Sequence, residues 1–129
     1  MKEMAMVKVG NFRDLIVWQR GMDLACEVYR LVKLLPKEET YALSDQMRRA
    51  VVSIPSNIAE GKSRNSSSEY SRFLGIARGS NAELETQIEL CIRLGFIQAG
   101  QAENALSLIS EIGRMLTTIM QKIALTPSP

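Results

Sequence analysis

Leu15, Trp18, Met22, Ala25, Tyr29 and Val32 are spaced 3, 4, 3, 4 and 3 residues apart. That spacing draws one stripe down an α-helix and cannot line one face of a strand. It predicts a first helix near residues 12–35, with Asn11 or Asp14 as its cap. Pro36 ends it, because proline pushes the residue before it out of helical dihedrals. A second stripe, Leu43, Met47, Ala50, Val51, Ile54 and Ile58, predicts a helix near 41–61 with Thr40 or Ser44 at its N-cap. Pro55 falls inside this stripe. It removes one backbone hydrogen bond and crowds the preceding turn, at ~3 kcal/mol in a helix interior. Because Ile58 keeps the periodicity beyond it, the expectation is one kinked helix, with Gly61 in the left-handed position after its end.

The polar stretch Lys62 to Asn65 reads as a loop, and Ser66-Ser67-Ser68-Glu69 matches a capping box. Tyr70, Phe73, Leu74, Ala77, Leu84, Ile88 and Cys91 then predict a long third helix near 66–94. Gly79 and Ser80 interrupt its apolar stripe. Glycine there costs ~1 kcal/mol relative to alanine, which suggests close approach by another helix backbone. Ala105, Leu108, Ile112, Met115 and Ile119 predict a fourth helix near 99–125, and the tail Thr126 to Pro129 cannot continue it. No segment alternates with period two. Four amphipathic helices joined by short loops in one domain of 129 residues predict an all-α, antiparallel up-down-up-down four-helix bundle. Second apolar rows, such as Leu24, Cys26 and Leu31 or Leu106, Ile109 and Leu116, exceed what a monomeric bundle needs. They point to a homo-oligomer.

Composition narrows the function without naming it. Apolar residues make up 46% and charged ones 23%, an ordinary globular balance. The formal charge of +2 is small, but it is unevenly placed. Residues 48–80 hold six basic against two acidic side chains, a net of +4, whereas residues 81–129 hold three against five, a net of −2. The middle of the chain is thus the candidate positive surface. Cys26 and Cys91 read as buried free thiols on apolar helix faces. Lys8 breaks the short apolar run Met4 to Val7, so a signal-peptide core is lacking, and no uncharged stretch approaches the ~18 residues of a membrane span. A cytoplasmic protein is expected.

Enzymatic readings find little support. The chain has no His, the commonest general base and a frequent metal ligand. Two isolated cysteines do not make a structural zinc site. Gly75 and Gly79 lie within a predicted helix and form no phosphate-cradling loop. Glu85 and Glu89 share a helix face, yet bundle di-metal sites pair Glu with Glu-x-x-His motifs that are absent here. No catalytic residue, metal or cofactor is therefore expected.

Two sets of polar residues remain. Arg49, Asn57 and Glu60 on helix two, with Arg78, Ser80 and Glu83 on helix three, lie within strongly apolar patterns. Buried amides and charges need partners, so these six are expected to form a structural polar cluster, between the two helices or across a subunit boundary. Lys62, Arg64 and Arg72 lie in or just after the polar loop, where a ligand could reach them. Sequence-independent phosphate binding needs little more than several clustered Lys or Arg side chains. The competing reading is that these cations are salt-bridged or simply solvated.

The ordered set Phe12-Arg13-Asp14-Leu15 with Trp18-Gln19, Gln46 with Arg49-Ala50, Ser53-Ile54-Pro55 with Asn57-Ile58-Ala59-Glu60-Gly61, and Ala77-Arg78-Gly79-Ser80 with Glu83-Leu84-Glu85 resembles the bacterial four-helix bundle proteins. These are also called 23S ribosomal RNA intervening-sequence proteins. The resemblance runs from Asn11 to Leu94; the fourth helix carries no motif. It implies a bundle that assembles into a homopentameric ring or barrel, with no enzymatic activity. Some members are encoded within sequences inserted in ribosomal RNA genes. A related group accompanies the reverse transcriptases of diversity-generating retroelements and is thought to bind RNA or DNA. Weak nucleic-acid binding by an oligomer is one expectation; a scaffold or protein-partner adaptor without nucleic-acid binding is the alternative.

Overall fold

Short side chains ahead of the first helix fix its start. Asn11 Oδ1 accepts from the backbone N–H of Arg13 at 2.8 Å, closing a short 3-10 turn over Phe12–Asp14. Gln19 reaches back to donate to the Arg13 carbonyl at 2.9 Å, and the Phe12 ring meets Trp18 edge-on at 5.3 Å. In the computed structural model, which describes residues 11–125, four helices follow: α1 (Ile16–Leu31), α2 (Leu43–Lys62), α3 (Ser67–Arg93) and α4 (Ala99–Ala124). The Met4–Val7 run and the Thr126–Pro129 tail lie outside the described residues. Each helix packs on its neighbour in the chain, and α4 closes back on α1. Pairings such as Met47 with Cys91, Asn81 with Ile109 and Arg20 with Glu111 run antiparallel. The result is an all-α, up-down-up-down four-helix bundle.

The core is lined by Leu24, Val28, Met47, Ile54, Ile58, Leu84, Ile88, Ile112 and Leu116, among others, all fully buried. On α2 and α3 the expected stripes are the buried ones, except that Leu43, Tyr70 and Phe73 at the helix starts are half-buried. On α1 they are not. Val17, Gly21, Leu24, Val28 and Leu31 face the core, while Met22 and Tyr29 are exposed. The two rows lie only about 100° apart on a helical wheel. Gly21 lies on the inner row against Pro55, where a Cβ would make an ordinary contact, 3.4 Å from the Pro55 Cβ. A similar shift occurs on α4, where Ile109 and Leu116 are buried and Leu108 and Met115 only half-buried.

Pro55 sits inside a continuous α2, which runs past Gly61 to Lys62. Gly61 is therefore helical and not in the left-handed region; among the described residues only Gly95 has a positive φ, 81°, where it ends α3. Phe96 N–H then bonds the Cys91 carbonyl at 2.9 Å, satisfying an acceptor that the helix end would otherwise leave open. The caps also depart in part from expectation. Neither Thr40 nor Ser44 caps α2; Ala42 holds that position, the Glu39 carboxylate accepts from Leu43 N–H at 3.4 Å, and Ser44 is buried. At α3, Ser66 Oγ accepts from Glu69 N–H at 3.1 Å, but the Glu69 carboxylate turns to Arg72 and leaves the box half-made.

The glycine expected to permit close helix approach is the wrong one. A Cβ on Gly79 would meet nothing within 4 Å, so its position on α3 faces open space. Gly79→Ala should therefore stabilise the protein by about 1 kcal/mol, the ordinary helix-propensity difference. Thermal denaturation should show a higher midpoint.

Cys26 is exposed on α1, contrary to the buried thiol expected, whereas Cys91 is buried against Met47 Sδ at 3.7 Å. Burial, with Glu39 adding a smaller effect, pushes the Cys91 thiol up to about 11. The thiolate is the reactive form. Iodoacetamide at neutral pH should thus label one thiol per native chain, at Cys26, and the second only after unfolding. Mass spectrometry reads both; rapid native labelling of Cys91 would contradict the packing.

Candidate functional site

The polar loop after α2 is short, so the last turn of α2 and the first turns of α3 lie side by side at one end of the bundle. There the side chains of Lys62, Arg64 and Arg72 gather around two rings. The Lys62 ammonium stands 5.5 Å from the centroid of Tyr70, and the Arg64 and Arg72 guanidinium carbons stand 5.0 and 4.5 Å from that of Phe73. Cations over ring faces at such distances are attracted by the ring quadrupole. Two carboxylates share the cluster: Glu60 accepts from Arg64 one turn along, and Glu69 from Arg72 at 3.1 Å. The Arg72 hydrogen bond and charge hold the Glu69 carboxyl below its ordinary value, while burial pushes the Tyr70 phenol up. Three cations against two anions leave one net positive charge. Arg64 and Arg72 remain exposed, so their guanidinium edges stay open to a ligand while carboxylate and ring fix their positions.

The six residues expected in one polar cluster do not come together within the chain. Ser80 does cross from α3 to α2, its Oγ lying 2.8 Å from Ser53 Oγ. Asn57 joins them by donating to the Ser53 carbonyl at 2.8 Å and to Ser53 Oγ at 2.9 Å. Arg49 and Glu60 instead point outward and pair along their own helix, Arg49 with Asp45 at 3.0 Å and Glu60 with Arg64. Arg49 is 79% exposed at its side chain. Exposed i, i+4 pairs of this kind contribute only about 0.3–0.5 kcal/mol. Arg78 and Glu83 are exposed as well, with Glu83 accepting weakly from Gln87 at 3.4 Å. Arg49, Ser53, Asn57 and Glu60 are spaced 4, 4 and 3 and share one stripe of α2. The long side chains of Arg49 and Glu60 carry their charges out to water, while the shorter Ser53 and Asn57 stay at the α2–α3 seam.

Sequence reasoning missed several contributors. Ser53 was legible as the i−4 neighbour of Asn57. Tyr70 and Phe73 were read as core residues, yet both are half-buried and serve as platforms for cations. A second polar seam joins α3 to α4, where buried Asn81 donates to the Ile109 carbonyl at 2.9 Å in space left by Gly113. Its Oδ1, like Gln87 Oε1, is buried with no hydrogen-bond partner among the described residues. Among the described residues no group of three His, Cys, Asp or Glu side chains could hold a metal ion, and no helix is long and apolar enough to cross a membrane.

The front motif thus serves as a local brace and the middle motif as a helix-packing seam. No curated protein matches the chain. A solved structure from Bacteroides thetaiotaomicron, described as a protein with unknown function from the S23 ribosomal protein family, shares 30% identity. It covers 81% of this chain and 97% of its own, with a TM-score of 0.75. The family of 23S rRNA-intervening sequence proteins matches residues 13–118, from the Phe12–Trp18 brace through most of α4. The chain therefore belongs to the 23S rRNA-intervening sequence protein family.

Proposed function

We propose that this protein is a non-enzymatic, self-assembling bundle whose α2–α3 end binds the phosphate backbone of nucleic acids weakly and without sequence preference. The observation that carries this reading is the gathering of Lys62, Arg64 and Arg72 over Tyr70 and Phe73, where ordered cations remain accessible. Phosphate contacts position a protein on nucleic acid and carry no sequence information. The sequence carries no recognition-helix or aromatic-stacking motif that would read bases. Self-assembly, most simply as the pentamer implied by the family resemblance, would repeat the site around a ring. Five copies carry a formal charge of +10, five times +2.

A second reading has a specific observation behind it. Glu60 and Glu69 already pair two of the three cations, as they would in a scaffold whose charges only hold its own helices. Fluorescence anisotropy with a labelled RNA of arbitrary sequence separates the two. Nucleic-acid binding predicts association at low salt that weakens as salt rises. A flat response at every salt concentration favours the scaffold.

A further inference from the structure

Self-assembly is part of the proposed function, and the following rests on it. Among the shallow grooves on the surface, two carry opposite net charge, each beside an exposed apolar side chain. One lies on the α1–α2 seam. Tyr29 and Val52 are 45% and 44% exposed and line a shallow groove with Arg48 and Arg49. Asp45 is the only carboxylate in that groove; it lies 4.0 Å from Arg48 and 3.0 Å from Arg49, so one positive charge is left over. Met22, 43% exposed, adds apolar surface farther along α1.

The other patch lies on α3, where Leu90 is 44% exposed and shares a groove with Glu85, Glu89 and Arg93. Two carboxylates against one guanidinium leave one negative charge. Among the described residues neither Glu85 nor Glu89 has an ion-pair or hydrogen-bond partner. An exposed apolar side chain beside unpaired charge is what one half of a complementary contact looks like before its partner arrives.

We propose that a second copy of this chain docks its α3 face, at Glu85, Glu89 and Leu90, onto the α1–α2 groove of the first, at Tyr29, Arg49 and Val52. The two patches lie on different helices and are not self-complementary; paired once per neighbour, they make a head-to-tail contact. Such contacts propagate from copy to copy and close into rings when the rotation permits. The exposed guanidinium of Arg49 turns from Asp45 alone to a carboxylate of the neighbour, and the apolar side chains of both grooves leave water together. This gives Arg49 a role across a subunit boundary that its position within one chain does not.

Light scattering on the full chain at micromolar concentration tests the pairing. Wild type is expected at a multiple of 14.4 kDa. Arg49→Glu and Glu89→Arg each place like charges in contact and should shift the mass toward 14.4 kDa. The double variant, which restores opposite charges, should return the wild-type mass. Both side chains are exposed, and helical circular dichroism confirms that each variant folds. Arg49→Gln and Glu89→Gln, which only neutralise the charges, should weaken assembly less. A monomeric wild type overturns both this pairing and self-assembly itself. An assembled wild type whose single variants keep its mass, or whose double variant stays dissociated, overturns only the pairing and leaves self-assembly to another face.

Discussion

Gly61→Val should lower the melting temperature by on the order of 10 °C, corresponding to about 3 kcal/mol, at the upper end of ordinary overpacking. A Cβ at this position would stand 2.8 Å from Phe73 Cβ, 3.1 Å from the Tyr70 ring and 3.2 Å from the Tyr70 carbonyl oxygen. The backbone oxygen and the Cβ of Phe73 cannot swing aside as the far end of a flexible side chain can, so α2 and α3 must separate at their linked ends. Gly61→Ala meets the same obstruction but recovers ~1 kcal/mol of helix propensity, so its loss should be smaller. Gly79→Ala, in open space on α3, should shift stability the other way. The opposite signs of these two glycine-to-alanine changes, read by thermal denaturation, isolate helix approach from propensity. Equal stability of Gly61→Val and wild type would contradict the packing. Because Tyr70 and Phe73 also carry the three cations, the Gly61 variants should weaken nucleic-acid binding too.

Much of the fold was legible because a 3, 4 apolar spacing admits few alternatives. The fourfold repetition of that pattern, with short polar connections, was enough for the bundle. The inner face of α1 was not legible, because two apolar rows lie side by side on it. Choosing Leu24 and Val28 over Met22 and Tyr29 requires knowing which row meets the other helices, as Gly21 meets Pro55, some 34 residues away in sequence. The close approach expected of Gly79 belongs to Gly61 for a related reason. A glycine near a helix end suits either a left-handed turn or a close approach, and only the neighbouring helix decides. Here Phe73 decides: six residues past the Ser67 start of α3, it comes back against Gly61 at the end of α2.

The candidate site was legible in its residue types and less so in its grouping. Lys62, Arg64 and Arg72 do converge, since a short loop folds their segments together. Their carboxylate partners follow simple helical offsets, Arg64 four residues after Glu60 and Arg72 three after Glu69. The rings beneath them were hidden in what read as a core stripe. Arg49 and Glu60 share a helical stripe with Ser53 and Asn57, but spacing does not tell how far a long side chain reaches. Theirs extend to water where Ser53 and Asn57 stay at the seam.

The salt dependence of RNA or DNA binding tests the functional claim most directly. Each phosphate contact contributes about −0.9 to the slope of log affinity against log salt on duplex DNA, and about −0.7 on single strands. Three contacts from one chain on duplex thus predict an affinity loss of roughly 40-fold between 50 and 200 mM salt, and more when several chains engage one strand. The measurement is that slope, by anisotropy, for wild type and for the Lys62→Ala/Arg64→Ala/Arg72→Ala variant, with helicity and mass checked in parallel. The account predicts a steep wild-type slope and a clearly flatter one for the folded, assembled triple variant. Equal slopes, or a wild type that fails to bind even at the lowest salt, would contradict it.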